Sequence, residues 1–252
     1  MSLQDLDFID LTEARDTVLT ALVSLCAEGP DPLTPLQTQR LVEGAVATLG
    51  LGPTQAEEVR RNGGLLTAPT ARADKVYSGV LYDALDIASL EGPAKRRATR
   101  WLAITSSLFG LVRPNDPIPA YRLSGDVTLP DVGVVSAHWR KHLDPVVRDA
   151  AGNGLIIDLR STMYAGFWRP SADTGARVAT VRVLHQVGSE RKVVSHFNKA
   201  TKGRIVRDLL LDGGTPNTPP QLADHLAQLG WKVEVGPAKP TGQQLDVIID
   251  AI

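Results

Sequence analysis

The sequence predicts an α+β fold, and three observations carry that reading. Helix-period apolar faces occupy the front of the chain, strand candidates appear from residue 101 onward, and residues 177–196 read as a β-hairpin followed at once by a helix. The 252 residues suffice to bury a sizeable core. The expectation is a single domain over 1–252, with a mixed β-sheet, flanking helices and a helical N-terminal part containing a helix-hairpin-helix-like element. No internal repeat or low-complexity tract interrupts it.

Taken in order, residues 11–28 give an amphipathic helix, with Thr12 as a cap and Leu11, Val18, Leu19, Leu22, Val23 and Cys26 on one face. Pro30, Pro32 and Pro35 break the chain. A second helix covers about 35–48, and a third starts near Pro53 and stops at Gly63-Gly64. A basic helix follows at about 93–100, with Lys95, Arg96, Arg97 and Arg100. Strands are expected at 101–105, 155–159, 178–184 and 192–196, with weaker ones at 231–235 and 245–249. Helices are expected at 199–212 and 220–229.

Composition narrows the function classes. Hydrophobic content is 43% and net charge is −1, so no global basic field attracts nucleic acid and any anion site must be local. The single cysteine, Cys26, lies in an apolar helical stretch and reads as a small buried hydrophobe. A peroxidase mechanism with a resolving cysteine is excluded within one chain. No apolar run approaches the ~20 residues that span a bilayer, and no signal peptide opens the chain. The expectation is a cytoplasmic monomer with no membrane contact and no obligate protein partner.

Leu49-Gly50-Leu51-Gly52-Pro53-Thr54 separates two helical patterns. Glycines at 50 and 52 let backbone approach a ligand, and the first amides of the next helix point outward, an arrangement that holds phosphate without reading bases. The competing reading is a plain connector, since the hairpin carries no Lys or Arg. Lys199, Lys202, Arg204 and Arg207 share one helix, and Lys199 and Lys202 stand near its start against the dipole preference. Lys199, Lys202 and Arg204, with Lys95, Arg96 and the Gly50, Gly52 and Thr54 of the hairpin, are the candidate phosphate contacts. The alternative for both clusters is a solvated face. His138 and His142 are spaced i, i+4 but lack a completing ligand, so no metal site is expected. No Walker loop, Rossmann fingerprint, nucleophile elbow or HExxH motif occurs, and no cofactor is expected.

The run from Ser107 to Leu123 contains Arg113 and Arg122 in a segment stiffened by Pro114, Pro117 and Pro119. Its Phe109, Gly110, Arg113, Pro114, Asp116, Ile118, Tyr121, Arg122 and Leu123 resemble the signature of the YaaA-type peroxide stress response family. Three further blocks resemble that family in the same order: Val76 to Tyr82 with Tyr77, Asp158 to Tyr164 with Ser161, and Ser195 to Gly203 with His196 and Lys199. The resemblance implies a role in peroxide tolerance, tied to lower free intracellular iron and less DNA damage. It also implies binding of double-stranded or branched DNA without sequence preference. The family matching further implies a polar pocket of Tyr77, Arg113, Tyr121, Arg122, Asp158, Ser161, Tyr164 and His196, with Arg113, Tyr121 and Arg122 sharing a cavity with Lys199. An alternative function is an enzyme acting on a small anionic metabolite there, at Arg113, Arg122, Asp158 and Lys199. Family members usually open with an apolar strand and a lysine-bearing segment. Neither is present ahead of Leu3, so an additional N-terminal strand is expected in a longer product or a relative.

Overall fold

The computed structural model describes residues 1–29, 32–188 and 190–250, with the side chains of Pro53, Ser195 and His196 outside the described set. Pro30 and Ser189, expected in a chain break and a hairpin turn, lie outside the described residues. Helix α1 (Thr12–Cys26) buries Val18, Leu19, Leu22 and Cys26 at helical spacing. Thr12 is its first residue and not its cap; the hydroxyl donates back to Ile9 O at 2.6 Å. Helix α2 (Pro35–Leu49) opens with a capping box, Thr34 N–H donating to Gln37 Oε1 at 2.8 Å while Gln37 N–H donates to Thr34 Oγ1 at 3.4 Å. It ends where Gly50 takes φ +63°, a conformation that favours glycine. A 3-10 turn (Pro53–Gln55) leads into α3 (Ala56–Gly63).

There follow β1 (Thr70–Arg72), α4 (Ala73–Val76), α5 (Val80–Leu85) and α6 (Gly92–Trp101). Strand pairs come next: β2 (Ile104–Ser106), β3 (Gly110–Val112), β4 (Pro117–Pro119), β5 (Thr128–Leu129) and β6 (Gly133–Val134). Helix α7 (Val135–Ala151), β7 (Ile156–Asp158), α8 (Thr162–Ala165) and α9 (Ala172–Gly175) precede β8 (Val178–Val187) and β9 (Glu190–Lys192). Helices α10 (Ser195–Asp212) and α11 (Pro219–Gln228) and strands β10 (Lys232–Lys239) and β11 (Gly242–Asp250) complete the chain. Two expected strands are corrected. Trp101 closes α6, because Leu102 N–H still reaches Ala98 O, and the strand starts only at Ile104. The expected strand at 192–196 stops at Lys192, and the chain is helical from Ser195.

The described chain forms two compact units, and it passes from one to the other after Val76, Leu102, Val146, Arg160 and Trp168. The first unit comprises Met1–Val76, Ala103–Val146 and Ser161–Trp168. Its strands pair antiparallel in twos, β1 with β4, β2 with β3 and β5 with β6. Its core holds Leu11, Leu22, Phe109, Ile118 and Trp139, all under 2% exposed, and also the charged Arg15. The second unit comprises Tyr77–Leu102, Val147–Arg160 and Arg169–Ile252. Its sheet runs β10-β11-β8-β7, with β9 paired to β8, and β8 is parallel to both β11 and β7. Ala179, Val181 and Val183 of β8 and Leu245 and Val247 of β11 pack on Ile205 and Leu209 of α10 and Leu222 and Leu226 of α11. A second cluster joins Leu85, Leu90, Ala94 and Ala98 to Val206 and Leu210 of α10. Helix α10 is thus covered on two sides. Among the described residues no helix is long and apolar enough to cross a membrane.

Candidate functional sites in the two units

In the first unit, the signature loop is fixed by backbone bonding. Asp116, 3% exposed, accepts from Arg113 N–H at 2.9 Å and from Asp7 N–H at 3.2 Å. Arg15 is fully buried in α1 and donates to Phe109 O (3.0 Å), Leu111 O (2.8 Å) and Asp7 O (2.7 Å). Burial lowers the Arg15 guanidinium to about 10, while Asp116 and Asp7 push it the other way. Sequence reasoning missed this residue. The signal was its place four residues after Leu11 and four before Leu19, on the apolar face.

Burial dominates at Asp116 too, raising its carboxyl, with Asp7 adding to it and the two backbone N–H bonds opposing. Arg113 lies over the Phe8 ring, 4.6 Å from its centroid, and burial lowers its pKa against the pull of Asp7 and Asp116. Asn62, buried in α3, clamps Arg122 by its backbone: N–H to Oδ1 at 2.9 Å and Nδ2 to O at 2.7 Å. Arg122 is exposed as a residue, with its backbone taken up by that clamp. Tyr121 OH pairs with Ser106 Oγ at 2.8 Å and its ring meets Phe109 edge-on. Ser161 is exposed ahead of α8, and Tyr164 stands 5.2 Å from Phe167, ring to ring.

The hairpin between α2 and α3 also belongs to this unit. Gly50 N–H bonds to Ala47 O and Val46 O, and Gly52 N–H is taken by Gln55 Oε1 at 2.9 Å. Thr54 is exposed. Glu57 and Glu58 occupy the first turn of α3 and pair with Arg60 and Arg61. Those carboxylates oppose a phosphate at this helix end. His138 Nε2 contacts Ala14 O at 3.1 Å, so its ring serves packing beside His142. Burial lowers the His138 pKa, opposed by that carbonyl and assisted by His142 and Lys141.

In the second unit, the polar centre lies at the carboxyl end of β7. Arg160 grips Asp158 in a two-pronged ion pair, Nε to Oδ1 at 2.9 Å and Nη2 to Oδ2 at 2.7 Å. Burial alone would raise the Asp158 carboxyl, but the Arg160 bonds and charge, with Lys202 beyond, hold it below the usual value. Lys202 is 8% exposed and donates to Leu159 O at 3.0 Å. Burial lowers its pKa, with Asp158 opposing. Lys202 therefore turns inward, whereas Lys199 and Arg204 of the same helix are exposed. The structure joins Asp158 to Arg160, a residue the sequence reading passed over although it follows Asp158 by two.

Arg97 likewise leaves the solvated cluster: it donates to Leu210 O at 2.7 Å and Leu211 O at 2.9 Å, capping the end of α10. Lys95, Arg96 and Arg100 are exposed. Tyr77 stacks on Tyr82 at 6.0 Å. His196 is in the first turn of α10, and its side chain lies outside the described residues. Of the expected pocket, Arg113, Tyr121, Arg122, Ser161 and Tyr164 belong to the first unit, and Tyr77, Asp158, His196 and Lys199 to the second.

Comparison with known proteins places these blocks in context. The chain is 48% identical over 244 residues to a UPF0246 protein of Streptomyces coelicolor, covering 96% of this chain and 88% of that one. It is 37% identical over 236 residues to a UPF0246 protein of Corynebacterium glutamicum, covering 92% and 86%. An uncharacterized protein of Campylobacter jejuni is 25% identical over 188 residues, or 75% and 71% of the two chains. The family model for the peroxide stress protein YaaA matches residues 36–234, which include the Asn62-clamped signature loop and the Asp158–Arg160–Lys202 centre. The chain belongs to the YaaA family of peroxide stress proteins.

Proposed function

We propose that this peroxide stress protein binds double-stranded or branched DNA through its phosphates, without sequence preference, protecting DNA while free intracellular iron is limited. The observation that carries the reading is a set of exposed cations on two packed helices of the second unit. Lys95, Arg96 and Arg100 project from α6 and Lys199 and Arg204 from α10. None of them is in a salt bridge among the described residues. Exposed, unneutralised cations are the groups that displace counterions from a duplex. The α2–α3 hairpin has a lesser part, because Glu57 and Glu58 flank its helix end and Gln55 occupies the Gly52 amide.

The test is fluorescence anisotropy with a labelled duplex and a four-way junction at rising potassium chloride. Neutralising about four phosphates gives a log–log slope near −3.6. Combined Lys95→Gln, Arg96→Gln and Arg100→Gln substitution flattens that slope while sequence scrambling leaves it unchanged. Absence of binding at low salt by the folded full-length chain overturns the proposal. The enzyme alternative has less support, because Asp158 is engaged by Arg160 and Lys202 by backbone carbonyls.

A further inference from the structure

We infer that the first turn of α10 binds a phosphate dianion, supplied by a small phosphate ester or by the phosphorylated end of a nucleic acid. The site goes beyond the proposed duplex contacts, since it takes a single compact anion. Helix α10 is 18 residues long, its N-cap is Val194, which has no side-chain acceptor, and its first turn holds no carboxylate. The opening amides of such a helix have no carbonyl within it to bond, and the helix dipole adds positive potential there. The first turn of α3, with Glu57 and Glu58, is the opposite case.

The second observation is His185. It is 5% exposed and follows Val181 and Val183 on the face of β8 that α10 covers. Its ring lies 4.9 Å from the ring of Phe197, in the first turn of α10. The Nε2 atom is buried with no hydrogen-bond partner among the described residues. A buried imidazole nitrogen left unpaired is costly, and a phosphate oxygen at the helix end answers it. Asn198 Oδ1 is similarly buried without a partner among the described residues. A half-turn of that amide presents Nδ2 in its place. Lys199 is exposed one residue further along α10 and adds a charge-assisted donor. The turn follows β9, whose Lys192 pairs with His185 near the carboxyl end of β8, and β8 is parallel to β11 and β7, the end at which open α/β sheets bind ligands.

The experiment is a titration of the full-length, 15N-labelled chain with inorganic phosphate, followed by amide and imidazole resonances, with acetate as the control anion. Saturable shifts are expected at residues 195–199 and at the His185 ring. Lys199→Gln, an exposed change, weakens binding about tenfold. Lys95→Gln on α6 titrates like the wild type. His185→Leu abolishes the shifts, and if that buried variant does not fold, the Lys199→Gln and Lys95→Gln pair still decides. Two further arms separate the sources: a duplex with and without a 5′-phosphate, and a simple sugar phosphate. A 5′-phosphate that strengthens shifts at the same amides identifies a nucleic-acid end, and saturation by the sugar phosphate alone identifies a metabolite. No saturable shift in the first turn of α10, or equal binding by wild type and Lys199→Gln, overturns the inference. Loss of duplex binding with phosphate shifts intact sinks only the DNA reading.

Discussion

Cys26 shows how little thiol chemistry this peroxide stress protein can offer. It is buried, and burial pushes its thiol up to about 11 against the opposing hydrogen bond to Asn62. Thiolate, not thiol, is the form that attacks peroxide, so the side chain acts as a core hydrophobe. Asp158 is the residue whose charge matters. Its folded pKa lies below the usual carboxylate value, so the unfolded chain binds the proton more readily. Its stabilisation is therefore complete above the ordinary carboxylate range and is lost as pH falls through the folded value. Asp158→Asn should cost about 3 kcal/mol near neutrality, because it leaves Arg160, whose side chain is 14% exposed, without its ion pair. Urea unfolding at neutral and acid pH checks this: the gap between wild type and variant should close as pH drops. A gap that stays constant across that range would show that the pair contributes no linked stability.

At the scale of elements, α10 is closely fitted at Gly203 and α2 is open at Gly44. A Cβ on Gly203 would come within 2.3 Å of Leu81 O and 2.9 Å of Ala84 Cβ on α5. Gly203→Ala should therefore force the two helices apart at a cost of about 1–3 kcal/mol. Gly44, in the middle of α2, has room to spare: a Cβ at that position would meet nothing within 4 Å, and Gly44→Ala should stabilise by up to about 1 kcal/mol. Thermal melts of the two variants should move in opposite directions; a Gly203→Ala protein as stable as wild type would contradict the close approach. Helices were legible because periodicity and punctuation are local: α1, α2 and α11 lie within a residue or two of the expected spans. The strand expected at 101–105 was not, since Trp101 is apolar enough for either state and the Ala98–Leu102 bond decided for helix. The short pairs β5–β6 and β1–β4 gave no period at all, being two and three residues long.

At the scale of the whole molecule, a chain of net charge −1 has no overall field for DNA, and only the local distribution of cations supports binding. The sequence displayed those cations but not their partners. Arg97, Lys202 and Arg207 look like Lys95 and Arg204 in one dimension, yet they bond to carbonyls far along the chain, as Arg207 does to Leu85 O and Asp86 O. Such pairings are set by tertiary return of the chain, and local spacing carries no trace of them. The same return makes the two units discontinuous, and this has a testable consequence. The first unit draws on nothing beyond Trp168, and its internal bonds run Arg15 to Phe109 and Leu111, Asn62 to Arg122, and Trp139 to Ser107. The second unit needs Arg169–Ile252 for β8, β11 and α10. A chain truncated after Trp168 removes the strand that pairs with β7 and the Val206 and Leu210 surface that covers Leu90, Ala94 and Ala98. Hydrogen exchange on that truncated chain should retain protection at Phe109 and Arg122, whose amides donate to Ser106 Oγ and Asn62 Oδ1, and lose it across 77–102 and 147–160, because those segments keep their apolar faces and lose what buries them. Uniform loss of protection, with Phe109 and Arg122 exchanging as fast as Leu90, would show that the first unit's bonds do not hold without the second.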